Sequence, residues 1–169
     1  MINIIETKRL NIAELTVDDA PFILELVNSP GWLQFIGDRN IKDLDAARNY
    51  IVNGPMVSYA KNNFGLWRVD LKETGIPIGM CGILKRDTLE YADIGFALLP
   101  QYTGHGYAQE AATATLAYAK DKLGMIQLAA IAKAANTRSI HLLAKIGLRF
   151  EKNVVLPPAN EALMLFLTN

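Results

Sequence analysis

The stretch that decides the fold is FALLPQYTGHGYAQEAATATLAYAKDKLG, residues 96–124. An apolar run of strand character, Phe96 to Leu99, stops at Pro100, crosses Gly104 and Gly106, and becomes an Ala-rich helix expected from Tyr107 to Lys122. A helix start leaves backbone N–H groups without intrahelical partners, and the helix dipole draws negative charge to that end. A glycine-bearing loop feeding such an end suits an anion, so a phosphate-bearing ligand is the first expectation. Glycines in a strand-to-helix turn are also ordinary turn chemistry, and the loop alone leaves both readings open. A dinucleotide fingerprint fails here. Its third glycine position holds Gln109, and the loop lies mid-chain rather than after a first parallel strand.

Upstream, FGLWRVDLK (64–72), PIGMCGILKR (77–86) and YADIGFALL (91–99) are separated by ETG and DTLE. That hairpin spacing predicts an antiparallel meander. Earlier still, TKRLNIAEL (7–15) alternates Leu10 and Ile12 with polar neighbours, as a half-buried strand does. Thr16 followed by Asp18 and Asp19 predicts a helix to about Val27, which NSPGW breaks. A second short helix is expected around Asp45 to Val52, ended by NGP. Downstream, MIQLAAIA (125–132) and ALMLFL (162–167) read as strands. Between them NTRSIHLLAKIG (136–147) reads as a helix capped by Asn136 and stopped by Gly147. The expectation is one mixed α/β domain over residues 1–169, with an antiparallel front half and a strand–helix–strand–helix–strand back half.

Composition narrows the function classes. Lys plus Arg equals Asp plus Glu at 17 each, so no net field draws the chain to nucleic acid or an acidic membrane. No run reaches membrane-span length, and MINIIETKRL lacks the order of a signal peptide, so a cytoplasmic location is expected. Cys81 is the single cysteine, which excludes an internal disulfide; with His105 and His141 the only histidines, no metal site is expected.

The order of elements, together with two motifs, resembles the GNAT superfamily of acyl-CoA-dependent N-acetyltransferases over essentially the whole chain. Within it the chain looks like the branch containing the ribosomal-protein alanine acetyltransferases. The first motif is the CoA loop, Arg/Gln-x-x-Gly-x-Gly/Ala after a strand and a proline. QYTGHG from Gln101 matches the letters, but the spacing from Pro100 selects TGHGYA. That register comprises Thr103, Gly104, His105, Gly106, Tyr107 and Ala108, with Thr103 standing where the family has Arg or Gln. The second motif is NTRSIHLLAKIGLRF, similar to the family's Asn-led helix that runs into Gly-x-x-Phe. Asn136, Ser139 and Leu143 stand at i, i+3 and i+7 on one helix face.

The resemblance implies a mostly antiparallel twisted sheet flanked by helices, with strands splayed around Leu98 and Leu128. Acetyl-CoA, as co-substrate, would lie along Phe96, Ala97 and Leu98, with its pyrophosphate on the loop amides. The face of Asn136, Ser139 and Leu143 would lie along the pantetheine arm. A backbone N–H near Leu98 would face the thioester oxygen. Asp93 stands where family members often carry a base for the incoming amine; alternatively it is an ordinary strand carboxylate. Ser139 is either a ligand contact or a neutral helix residue. Leu143 occupies the place of the family's usual acid, a Tyr. The acceptor implied is a small-molecule or peptide amine, and the assembly a monomer or homodimer. The rival from another class is a non-catalytic module that binds acetyl-CoA as a sensor. Cys81 reads as buried and inert, Trp32, Phe35 and Trp67 as core or cleft wall, and Lys133 and Arg138 as surface charges or helpers to CoA phosphates.

Overall fold

The computed structural model describes residues 2–169, which form one eight-stranded sheet flanked by helices. In chain order the elements are β1 (Asn3–Glu6), β2 (Leu10–Ala13), α1 (Ala20–Val27), α2 (Pro30–Phe35), α3 (Leu44–Asn53), α4 (Pro55–Asn62), β3 (Leu66–Leu71), β4 (Pro77–Leu84), β5 (Asp93–Leu98), α5 (Tyr107–Asp121), β6 (Ala129–Ala132), α6 (Thr137–Lys145), β7 (Leu148–Val155) and β8 (Ala162–Thr168). The strand order is β1-β2-β3-β4-β5-β6-β8-β7. Every pairing is antiparallel except β5 with β6. No helix is long and apolar enough to cross a membrane among the described residues.

The β3–β4–β5 meander is as the hairpin spacing predicts. NSPGW and NGP end α1 and α3 as expected, but Pro30 and Pro55 then open two further helices, α2 and α4, because a first-turn proline lacks only an N–H that would have no helical partner. Thr16 is followed by a 3₁₀ turn, Val17–Asp19, before α1 begins. The backbone N–H of Thr16 donates to the Asp19 carboxylate at 2.8 Å. β1 and β7 are additions to the expected order. β7, LRFEKNVV, is an outer strand buried only at Leu148 and half-buried at Val154; its charged pattern reads as loop, and pairing with β8 makes it a strand. The strand expected over 125–132 shortens to Ala129–Ala132.

Two cores sandwich the sheet. Beneath α5 and α6 lie Leu10, Ile12, Trp67, Val69, Cys81, Ile83, Leu143 and Leu148, with Tyr118 edge-on to Trp67 at 5.5 Å. On the other face α1–α3 cover Leu15, Ile23, Leu26, Ile51, Met80 and Leu99. Arg68 ties this helical layer to the sheet: both oxygens of Asp70 accept from its guanidinium at 2.7 Å, and Asp19, at the head of α1, accepts as well.

Strand spacing depends on Gly82, where an added Cβ would lie 2.0 Å from Gly65 O and 2.8 Å from Leu66 Cα. Both are backbone atoms, so no side-chain rotation relieves the overlap. Gly82→Ala is expected to cost about 3 kcal/mol, the upper range of overpacking, read as a lower urea midpoint at unchanged slope. An unaltered midpoint would mean that β3 and β4 part without loss.

β5 and β6 bridge only at Asp93 and Ala129, where Ala129 N–H donates to Ala92 O at 2.8 Å. On the other edge of β5, Leu99 N–H donates to Ile78 O at 2.8 Å. Backbone groups alternate along a strand, so Phe96 and Leu98 turn theirs toward β6. No further register joins the two strands beyond the bridge. β5 and β6 therefore diverge, and the N–H groups of Phe96 and Leu98 open into the gap.

Candidate functional site

At the wide end of that gap the chain makes a 3₁₀ turn, Pro100–Tyr102, and enters the glycine loop. Thr103 Oγ1 donates back to Pro100 O at 2.8 Å, so that side chain is spent on the turn. Gly104 and Gly106 have φ of +80° and +81°, a region that side-chain-bearing residues adopt at a cost. The first bond of α5 runs from Glu110 N–H to Gly106 O at 3.0 Å. The backbone N–H groups of Gly104, His105, Gly106, Tyr107, Ala108 and Gln109 have no hydrogen-bond partner among the described residues. Consecutive free amides at a helix N-terminus form a nest for an anion.

The second motif places its residues on either side of the core boundary. Asn136 Oδ1 accepts from Ser139 N–H at 3.3 Å, which makes Asn136 the N-cap of α6. Its Nδ2 carries no hydrogen bond among the described residues and is free for a ligand. Asn136 and Ser139 are half-buried. Leu143 is 1% exposed and packs in the core under α5, so it offers neither a proton nor much contact surface. Phe96, Ala97 and Leu98 are half-buried along the gap, as a strand edge without a continuous partner should be.

Asp93 sits at the root of the gap, buried, and Arg86 Nε donates to its two oxygens at 3.0 and 3.3 Å. Burial pushes the Asp93 carboxyl up to about 6, overriding the Arg86 charge that pulls it down. The arrangement is a buried carboxylate with a raised pKa, paired with a guanidinium that is partly exposed. Sequence reading did not find Arg86, which no motif marks. Lys133 Nζ donates to Gln34 O at 3.2 Å and pairs with Glu161 at 3.2 Å, linking the end of β6 to α2 and to the β7–β8 connection. His105 is exposed and stacks on Tyr107 with centroids 5.8 Å apart. Among the described residues no cluster of metal-ligating side chains occurs.

Cys81 is buried on the α5 side, 3.4 Å from Thr115 Oγ1, and burial pushes its thiol up to about 12. A thiol so far from ionising is no nucleophile. Cys81→Ala is expected to retain most turnover, and an acetylated Cys81 peptide that chases into product would overturn that.

The sequence of residues 9–149 matches the model of the acetyltransferase (GNAT) domain. The chain belongs to the GNAT acetyltransferase family. The uncharacterized N-acetyltransferase YoaA of Bacillus subtilis (strain 168) is 27% identical over 92% of this chain and 87% of its own. The acetyltransferase from Agrobacterium tumefaciens str. C58 superposes with a TM-score of 0.83 at 24% identity, covering all of this chain and 95% of that one. RimL, a ribosomal L7/L12 alpha-N-protein acetyltransferase solved with coenzyme A, gives 0.83 at 12% identity over 98% of this chain and 96% of its own. At such identities these two structures bear on the fold. As a GNAT member the chain is a transferase, and the family implies acyl-CoA-dependent N-acetylation of amine acceptors, with acetyl-CoA as co-substrate. The residues present fit that group: a nest of unpaired amides for its phosphates opens beside a gap edged by free strand N–H groups.

Proposed function

We propose that the chain transfers an acetyl group from acetyl-CoA to a primary amine, on a protein N-terminus or a small molecule, by direct attack in a ternary complex. The observation that carries this is the run of free amides from Gly104 to Gln109 at the mouth of the β5–β6 gap. Acetyl-CoA supplies the activated acyl group. The loop amides hold its pyrophosphate, and the Asn136 Nδ2 and Ser139 hydroxyl border the arm. The Leu98 N–H, directed into the gap, stabilises negative charge developing on the acyl oxygen. Asp93 takes the amine's proton, directly or through water, and its carboxyl is ionised above pH 6. His105, Tyr107 and Ala108 act through their backbone, whereas the Thr103 N–H donates to Pro100 O at 3.2 Å, so the amide expected from Thr103 does not join the nest. No acid comes from Leu143, so positioning and solvent carry that part of the reaction.

The family branch and the location are parts of the same reading: a cytoplasmic enzyme of the kind that acetylates ribosomal-protein N-termini, as monomer or homodimer. RimL shares the fold of this chain. A specific observation favours the rival, an acetyl-CoA sensor without chemistry: Asp93 is held by Arg86, and a leucine fills the usual acid position. Thiol release from acetyl-CoA over a panel of amines separates the two. Amine-dependent release supports the transferase, whereas tight acetyl-CoA binding without release on any amine leaves the sensor.

A further inference from the structure

The glycine loop is held from behind by a residue 97 positions before Gly106, which the GNAT resemblance does not point to. Arg9, in the β1–β2 turn, donates from Nη1 to His105 O at 3.0 Å and from Nε to Glu110 Oε2 at 2.6 Å. Its backbone N–H donates to Glu110 Oε1 at 2.8 Å, and Thr7 Oγ1 donates to the same oxygen at 2.7 Å. The guanidinium lies 4.5 Å from the centroid of the Tyr107 ring, and an added Cβ on Gly106 would stand 3.3 Å from its Nη2. Arg9 thus touches the loop at His105 and Tyr107 and the first turn of α5 at Glu110.

In a trans peptide the carbonyl and the following N–H point in opposite directions. A bond from Arg9 to the His105 carbonyl therefore turns the Gly106 N–H away from Arg9 and outward. We propose that Arg9 is a positioning residue for the cofactor: it holds the His105–Gly106 peptide so that the Gly106 N–H faces the anion. It also neutralises Glu110, whose charge would otherwise oppose an anion at the start of α5. The rigid fork of arginine reaches Glu110 and the His105 carbonyl from two different nitrogens, which a single ammonium cannot reproduce in the same geometry.

This inference rests on the acetyl-CoA reading of the loop, and its test separates the two. Acetyl-CoA affinity is measured by calorimetry, and the Gly106 amide is followed by NMR, in wild type, Arg9→Met, Arg9→Lys and Thr7→Val. Arg9→Met is expected to bind about tenfold more weakly, as for a lost charge-assisted bond. In that variant the Gly106 amide resonance should shift little on adding acetyl-CoA, although the wild-type resonance moves. Arg9→Lys should fall between. Thr7→Val loosens Glu110 without touching the His105 contact, so it should lower the thermal midpoint and leave affinity within about twofold. Equal affinity in wild type and Arg9→Met overturns the proposal while the cofactor reading stands. So does an affinity that falls in Thr7→Val as far as in Arg9→Met, because Arg9 would then be a strut only. A wild-type chain that does not bind acetyl-CoA removes the cofactor reading and this one with it.

Discussion

Gly106→Glu is expected to abolish measurable acetyl-CoA binding, a loss of at least about a hundredfold by calorimetry. Three effects add. The backbone at Gly106 has φ of +81°, which costs a side-chain-bearing residue about 1 kcal/mol or more. The new Cβ would press on Arg9 Nη2 at 3.3 Å, disturbing the residue that orients the loop. The carboxylate then places negative charge where the dipole of α5 and the free amides of Gly104 to Gln109 await an anion. Gly106→Ala carries only the first two effects and should lose less, which separates geometry from charge. Unchanged affinity in the Glu variant would move the cofactor away from this loop altogether.

Asp93→Asn is expected to reduce amine-dependent turnover by about a hundredfold at pH 7.5 and above, the lower range for loss of a general base. The Asn variant should keep acetyl-CoA affinity nearly intact and show an unchanged thermal midpoint in saturating acetyl-CoA. In the wild type kcat/KM should fall below pH 6 as Asp93 takes up its proton, and that limb should vanish in the Asn variant. Arg86→Met removes the charge that pulls the Asp93 carboxyl down, so the same limb should move to higher pH.

The stability consequence has the opposite sense to that of an ordinary paired carboxylate. The folded value, about 6, lies above the ordinary 3.8. The native state therefore holds the proton more tightly between those values, and the Asp93 contribution to stability declines as pH rises from about 4 to 6, then levels. Asp93→Asn should flatten that slope. An unaltered pH–rate profile in the Asn variant would make Asp93 a strand carboxylate paired with Arg86 and nothing more.

Much of the site is legible in the chain because it is local chemistry. A strand that meets Pro100, two glycines able to take positive φ, and a following helix make an anion nest whose parts lie within ten residues. The Asn136 cap and the β3–β4–β5 meander are local in the same way, being decided by turn and capping preferences acting over a few residues. Tertiary structure decided the rest. Strand β7 has the charge pattern of a loop and exists because β8 offers it a ladder. That a further helix follows Pro30 depends on Trp32 of α2 packing with α1 and α3 in the core over the sheet. The divergence of β5 from β6, the burial that raises Asp93, and Arg86 across from it come from contacts that no local preference encodes. The hold of Arg9 on Glu110 and His105 spans about a hundred residues of chain and forms only once the β1–β2 turn has docked on α5. Local preferences choose the elements, whereas burial and long-range pairing choose which side chains meet, and the proposed base Asp93 with its Arg86 partner belongs to the second kind.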